Sequence, residues 1–427
     1  MEILGLGIDF ANDYTQVCYV TQFENDDPVS MSTVSGEQRY LIPTIMYKDK
    51  NLNKWYIGEE ALAMAKGNGD SCIENIPGTI INQGVNACFS QNGEEYTCEK
   101  LIYNFFKELF NIIKRILDFE IIHDICVAVE KPEGNIIEFV HKSLKKLGYI
   151  EENMRVIDHA EAFIYYTMNQ KKDIWVNDVV LFDFSKDHFT YSKLKTIRTR
   201  TPKTITVNEA DYSDIIDFEM LGTPEGKMKA DKKFFQIIQD NFRKSVISAV
   251  FLTGSGFYED WAKESLPELC GKRRVFMGYN LFVKGSTYSA LKRYKGISSG
   301  EYLFECTGRT KVNINLLIMH NGRNMALSLS KAGTNWYEAG AVTECILDDI
   351  NRIQVIFEEP ISMMRKNMFI ELPDFPERPN KTTRVKITLG YADDINCIIK
   401  VEDMGFGELF KSSGANVLKE INIEELF

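Results

Sequence analysis

The sequence predicts an α/β region over roughly its first 300 residues, followed by an all-β sandwich. Three observations predict it. Strands and helices alternate as far as about residue 295, the pattern of an α/β fold. A unit of strand, terminal aspartate, turn and second strand occurs at 3–21 and again at 178–196. Beyond about residue 308 the texture becomes short β-rich runs separated by turn signals. The repeated opening unit points to two similar lobes facing a cleft.

In order, 4–9 is an apolar strand ending in an aspartate, and 15–21 pairs with it across the turn 10–14. Residues 41–47 form a strand led by an Ile-Pro edge signal. A short Ala-rich helix covers 59–66, and 67–98, rich in Gly, Asn, Ser and Gln, reads as an irregular excursion. A long amphipathic helix spans 99–117. Residues 125–129 are a buried strand closed by Lys131-Pro132, and 134–147 a helix stopped by Gly148. A strand at 155–158 and a helix at 160–169 end the first half. The second half opens with strands 178–184 and 189–196, then helical segments around 211–221 and 229–245. A strand at 249–253 leads through Gly254-Ser255-Gly256 into a helix at 257–266, and a strand at 274–277 precedes a helix at 280–294. The β-rich runs are 312–319, 325–329, 341–347, 353–357, 368–372, 384–389 and 395–401, with Asn321-Gly322, Ala332-Gly333 and Asp393-Asp394 among their turns.

The hydrophobic fraction of 44% and charged fraction of 26% are ordinary globular values and exclude a disordered or collagen-like chain. Lys and Arg number 50 against 61 Asp and Glu, a net charge of −11, which disfavours nucleic acid as a partner. The nine cysteines contain no CxxC and the five histidines are scattered, so no zinc-ligand spacing arises and reduced thiols are expected. MEILGLGIDF lacks the features of a signal peptide, and no apolar run approaches the ~18 residues of a membrane span. A soluble cytoplasmic protein with no membrane partner is the expectation.

The order of segments resembles the Hsp70/actin/sugar-kinase superfamily, and most closely the Hsp70 chaperones. LGLGIDFANDYTQVCYV (4–20) is similar to the first phosphate loop and RYLIPTIMYKDKNLNKWYIGEEALAMA (39–65) to the strand and helix that follow it. ICVAVEKPEGN (125–135) resembles the strand before the crossover helix, and RVIDHAEAFIYYTMNQ (155–170) the connector. VVLFDFSKDHFTYSKL (179–194) resembles the second phosphate loop, VFLTGSGFYEDW (250–261) the adenosine segment, and LFVKGSTYSAL (281–291) the closing helix. LSLSKAGTNWYEAG (327–340), NRIQVIFEEP (351–360) and residues 369–408 resemble stretches of the chaperone β-sandwich. The resemblance implies a two-lobed actin-like (ribonuclease H-like) ATPase fold over 1–300, with lobe I about 1–172 and lobe II about 176–300. It implies a peptide-holding β-sandwich over 308–427, without the chaperones' helical lid.

It also implies nucleotide-binding positions at Asp9, Ala11, Asn12 and Asp13, at Asp183, Ser185, Lys186 and Asp187, and at Gly254, Ser255 and Gly256. Asp9 and Asp183 are the implied metal positions, facing Mg²⁺ of Mg-ATP or Mg-ADP through water. Read from the residues alone, the two aspartates equally cap the turns after their strands, and Gly254 and Gly256 equally serve a tight turn. Phosphate loops use glycines so that backbone N–H groups can approach. Here Ala11 stands for the usual glycine of the first loop, and Ser185, Lys186 and Asp187 for the three of the second. His159 and His188 stand where the connector carboxylate and the loop threonine are expected. CIENIPGTIINQG (72–84) offers no counterpart of the expected lysine, and the stretch between Leu194 and Val250 leaves little room for the adenine-side insertion. The basic cluster Lys195, Arg198, Arg200 and Lys203 and the run Lys272-Arg273-Arg274 read as solvated edges and loops. The expected function is an Hsp70-like protein with a degenerate nucleotide site, binding a protein or peptide partner through its sandwich, without efficient ATP hydrolysis. The alternatives are a divergent Mg-ATPase chaperone and, behind it, a small-molecule kinase.

Overall fold

β1 (Gly5–Phe10) is buried at every position, as a strand covered on both faces must be. It pairs antiparallel with β2 (Tyr14–Val20), whose outer neighbour is the short β3 (Val29–Ser30). The computed structural model describes residues 1–23, 26–34, 37–133, 135–199, 201–243, 245–271, 273–296, 302–348 and 351–427. It places Gly134, Arg200 and Lys272, named above, outside those described. After α1 (Gly58–Asn68) and α2 (Ile76–Gln83) comes the long α3 (Cys98–Leu117). The Thr97 side chain caps its first turn, and its apolar stripe lays Phe105 and Phe106 at 5.0 and 5.3 Å from the Phe10 ring. β4 (Ile125–Val129), α4 (Ile136–Lys146) and β5 (Met154–Asp158) follow, and β5 runs directly into α5 (His159–Met168). The sheet order is β5-β4-β1-β2-β3, with β5, β4 and β1 mutually parallel.

The second sheet repeats this plan. β6 (Asp178–Phe184) pairs antiparallel with β7 (Phe189–Ile197), which is followed by β8 (Lys203–Asp211) and α6 (Pro224–Phe242). β9 (Ile247–Thr253) lies parallel to β6, and beyond α7 (Ser265–Cys270) comes β10 (Arg274–Met277), parallel to β9. The order β10-β9-β6-β7-β8 therefore mirrors the first sheet strand for strand. Its core is aromatic: Phe182, Phe184, Phe189, Phe234, Phe257 and Trp261 form one buried cluster. The last helix, α8 (Leu281–Tyr294), returns to the first sheet. A side chain on Gly7 would lie 2.2 Å from Thr287 Oγ1, and one on Gly285 2.0 Å from the Ala162 carbonyl, so this helix approaches β1 and α5 as closely as backbone allows.

Contacts divide the chain into two units, Met1–Thr196 with Val207–Gly300, and Ile197–Thr206 with Glu301–Phe427. In the second unit β11 (Tyr302–Glu305) pairs in parallel with residues 203–206 of β8. Two four-stranded antiparallel sheets follow. One has β12 (Asn313–His320) between β13 (Arg323–Ser330) and β15 (Arg352–Glu358), with β16 (Arg365–Glu371) outermost. The other orders β14 (Ala341–Ile346), β17 (Arg384–Tyr391), β18 (Asn396–Gly405) and β19 (Asn416–Asn422). Strict alternation along β18 turns Cys397, Ile399 and Val401 inward, where they meet Val355 and Phe357 of the facing sheet in one core. Among the described residues no helix is long and apolar enough to cross a membrane.

Local expectations are corrected at several points. The helix expected around 211–221 is the end of β8 and a 3-10 turn, Phe218–Gly222, because the β-branched Thr204, Ile205, Thr206 and Val207 favour a strand and Asp211 then accepts from the Ser213 N–H. The helix expected at 257–266 is a 3-10 turn, Ser255–Tyr258, followed after a gap by α7, because the Trp261 indole donates to the Gly256 carbonyl at 2.7 Å and folds the chain back. The excursion at 67–98 contains α2 and a hairpin, Cys88–Gln91 with Glu94–Thr97. Its Asn92-Gly93 turn has φ of 51° and 77°, the combination a two-residue hairpin needs. The strand expected at 41–47 is broken into Ile42–Pro43 and Met46–Asp49, since proline offers no N–H to a ladder. β19 was not expected at all.

Candidate functional site

Adjacent strand residues face opposite ways. Burying Phe10 against α3 and Phe184 in the aromatic cluster turns Asp9 and Asp183 toward a common cleft between the two sheets, where they are 3% and 6% exposed. Each meets a histidine. His159, the first residue of α5, is set by the Asp158 side chain, which accepts from the Glu161 N–H at 2.7 Å. Its Nε2 lies 2.9 Å from Asp9 Oδ1 and its ring stacks on Phe282 at 3.7 Å. His188 Nε2 lies 3.2 Å from Asp183 Oδ2 and its Nδ1 2.9 Å from Asp187 Oδ1.

The first turn is tied across the cleft. The Asn12 N–H donates to Glu130 Oε1 at 2.9 Å and its side-chain amide to Asp187 Oδ2 at 3.0 Å, while its Oδ1 accepts from the Gly78 N–H at 3.3 Å. Asp13 Oδ2 accepts from the Lys186 N–H at 3.4 Å, and the Ser185 hydroxyl donates to Asp183 Oδ1 at 3.2 Å. Neither turn contains a residue of positive φ. Both turns therefore take conformations open to any L-residue, and the side chains of Asn12, Asp13, Ser185 and Asp187 bond around them.

The electrostatics follow. Burial works against charge on His188, but Asp183 and Asp187 on either side raise its basicity well above the ordinary imidazole range. His159 is also raised, burial being outweighed by Asp9. Asp183 and Asp187 are lowered despite burial, chiefly by His188. Glu130 and Asp13 are raised, with burial the largest cause.

Gly254 and Gly256 have a packing explanation. Gly254 has φ of 91°, and a Cβ there would meet the Phe184 carbonyl at 2.2 Å; one on Gly256 would enter the Phe184 ring. Both glycines let this turn press on the end of β6, and Ser255 between them lines the cleft. The cleft also takes in Ala11, Gln16, Tyr258 and Tyr279. Its volume is about 60 Å³, room for a few waters, whereas small-molecule sites run to roughly 300–1,000 Å³. Of the residues singled out in the sequence, Asp9, Ala11, Asp13, His159, Asp183, Ser185, His188, Gly254 and Ser255 line it, Asn12, Lys186 and Asp187 bond to its walls, and Gly256 packs behind it on Phe184.

Glu130 was not foreseen, although the signal existed. It is an acid immediately after the buried strand β4, in register one residue beyond the Val129–Phe10 pair, the same strand-end placement that marks Asp9 and Asp183. The basic clusters lie elsewhere: Lys203 sits over the Tyr302 ring, Arg273 over Phe242, and Arg274 pairs with Asp173 at 2.7 Å. All nine cysteines are free thiols.

The fold and site define a mixed α/β unit with a histidine-lined acidic cleft, joined to an antiparallel β-region. The chain belongs to a family of unknown function, DUF5716, whose C-terminal family model matches residues 27–307. Residues 309–423 match a second model, a domain of unknown function, DUF8552. No curated protein matches the chain.

Proposed function

We propose that the α/β unit is a two-lobed domain of the actin and Hsp70 type whose nucleotide cleft is occupied by its own side chains, and that the protein works by binding a protein partner through its β-sandwich. Two sheets of the same strand order, each with an aspartate one residue before the end of its central strand, support the lobed reading. The observation that carries the loss of nucleotide chemistry is that each of those aspartates is held by a histidine of the same chain, His159 on Asp9 and His188 on Asp183.

The residues present do not fit Mg-ATP or Mg-ADP. A hydrated Mg²⁺ wants carboxylate lone pairs facing its waters, and the Asp9 and Asp183 oxygens already accept from imidazole and hydroxyl groups. A polyphosphate would meet Asp13, Glu130 and Asp187 where the fold family presents glycine N–H groups, and like charges at that range repel. The cleft volume points the same way. For the sandwich, β13, β14, β16 and β19 are outer strands whose unpaired edges suit an extended peptide added as a further strand.

One observation favours a divergent Mg-ATPase instead: Asp9 and Asp183 line a single cleft. Thermal denaturation decides. Saturation to about 100 times Kd stabilises by roughly 2.7 kcal/mol, which moves a melting midpoint by several degrees. The midpoint is expected to be the same in Mg²⁺ alone as in millimolar Mg-ATP or Mg-ADP. A nucleotide-dependent rise lost in Asp9→Asn would overturn the closed-cleft reading, and ATP turnover lost in the same variant would establish the ATPase reading.

A further inference from the structure

At the mouth of the cleft, Glu130 and His188 of its lining and the exposed Asp187 beside them each present a ligand atom, and the three atoms lie within 4.8 Å of one another. We propose that these three side chains bind a divalent transition ion of the Zn²⁺ kind, Glu130 contributed by the first sheet and Asp187 and His188 by the turn of the second. This rests on the reading of the cleft as closed to nucleotide, and gives that cleft a ligand of its own.

The donor set selects the ion. One imidazole nitrogen with two carboxylates is an N/O site suited to Zn²⁺ or its first-row neighbours, while Mg²⁺ prefers oxygen and retains its waters. With metal–ligand distances near 2.0–2.1 Å, tetrahedral ligand atoms stand about 3.3 Å apart. His188 Nδ1 and Asp187 Oδ1 are already 2.9 Å apart, so they need open only slightly, and the Glu130 ligand atom, within 4.8 Å of the others, has at most about 1.5 Å to close. A cavity of about 60 Å³ holds an ion with a water or two in its open position.

The surrounding hydrogen bonds have the form that metal sites use to orient their ligands. His188 Nε2–H points at Asp183, a carboxylate–histidine arrangement that directs Nδ1 to the ion. Asn12 serves the other two ligands at once, its backbone N–H holding Glu130 Oε1 and its side-chain amide holding Asp187 Oδ2, which leaves one oxygen of each carboxylate for the metal. As the ion enters, the Nδ1 proton leaves to solvent. Asn12 is a positioning residue in this scheme, and the ion fastens the end of β4 to the turn after β6.

Full-length protein, stripped with chelator and dialysed, is titrated with ZnCl₂ by calorimetry, and bound metal is counted by elemental analysis. About one Zn²⁺ per chain is expected, not displaced by excess MgCl₂. Glu130→Gln and Asp187→Asn, which keep shape and remove ligand charge, are expected to weaken it by about tenfold or more, and Asn12→Ala by about 10–100-fold. Metal-free melting curves establish that each variant is folded, and the three variants are independent should one fail. Substoichiometric zinc, or zinc bound equally well by Glu130→Gln and Asp187→Asn through the exposed thiols of Cys88 and Cys270, overturns the assignment. The titration contains no nucleotide, so a nucleotide-dependent melting shift would remove the functional reading above without touching this result.

Discussion

Asp403 shows how much one buried carboxylate can carry. It occupies an inward-facing position on β18, where the alternation would otherwise place an apolar side chain. Arg378 meets it with two parallel bonds, Nη1 to Oδ1 at 2.7 Å and Nη2 to Oδ2 at 2.8 Å, and the N–H groups of Gly405 and Ser413 and the Ser413 hydroxyl complete the set. Burial alone would push this carboxyl up, but Arg378 and those donors hold it far below the usual carboxylate range. A depressed carboxyl binds its proton more tightly in the unfolded chain. Its stabilisation is therefore complete above about pH 5 and is lost as pH falls through the unfolded value near 3.9 toward the folded one. Asp403→Asn strands a buried guanidinium and is expected to cost about 3–5 kcal/mol at pH 7. Urea unfolding at pH 7 and at about pH 2.5, below the unfolded value, checks both statements: the wild type should lose more stability between them than the variant, and parallel losses would place the acid sensitivity elsewhere. The alternation that exposes Asp403 as an anomaly is legible in NCIIKVEDMG, whereas its partner, distant in sequence, is not.

At the scale of elements, the site depends on two junctions. β5 passes into α5 without a connecting residue, so Asp158 ends the strand and caps the helix while His159 begins it. Asp158→Ala is expected to cost about 1 kcal/mol, as lost N-caps do, and to loosen the His159 ring from Asp9, visible as a downward move of the His159 titration by NMR as the pairing weakens. The other junction is the turn after β9. Gly254→Ala would combine a φ of 91° with a Cβ driven into the Phe184 carbonyl, and a loss of more than about 2 kcal/mol is expected; an unchanged melting curve would show that the turn can relax. Long, strongly patterned elements such as α3 and β1 were legible because a core face or full burial leaves its period in the sequence. α2 was hidden by Gly78 and by its brevity. β19 was hidden by its exposed edge position, where packing imposes little pattern. The strand-end aspartates were legible for the same reason as the strands, and His159 and His188 were placed at the site by their position in the segment order, but their pairing with Asp9 and Asp183 was not, since a lone histidine carries no period and its contacts close only in three dimensions.

At the scale of the molecule, the repeat at 3–21 and 178–196 corresponds to two sheets of matching order, so the duplication of plan was readable from its most buried strands alone. What the sequence did not disclose is that residues 197–206 belong with the C-terminal unit through the pairing of β8 with β11. That pairing sets the last prediction. Every buried residue of the core shared by the two antiparallel sheets, from Val312 to Ile423, lies within 309–427, and the segment begins where one family match ends and the next starts. Its eight strands supply two complete sheets with their own shared interior, and its deepest ion pair, Arg378 with Asp403, is internal to it. A chain of this size buries enough surface to fold without help. Residues 309–427 expressed alone should therefore give a β-type circular dichroism spectrum and one cooperative urea transition, with Asp403→Asn lowering its midpoint as in the full chain. A fragment that stays unfolded until 197–206 and β11 are restored would mean that the parallel pair, rather than the core between the two antiparallel sheets, closes this unit, and the proposed binding of a partner there would have to be tested with that pair in place.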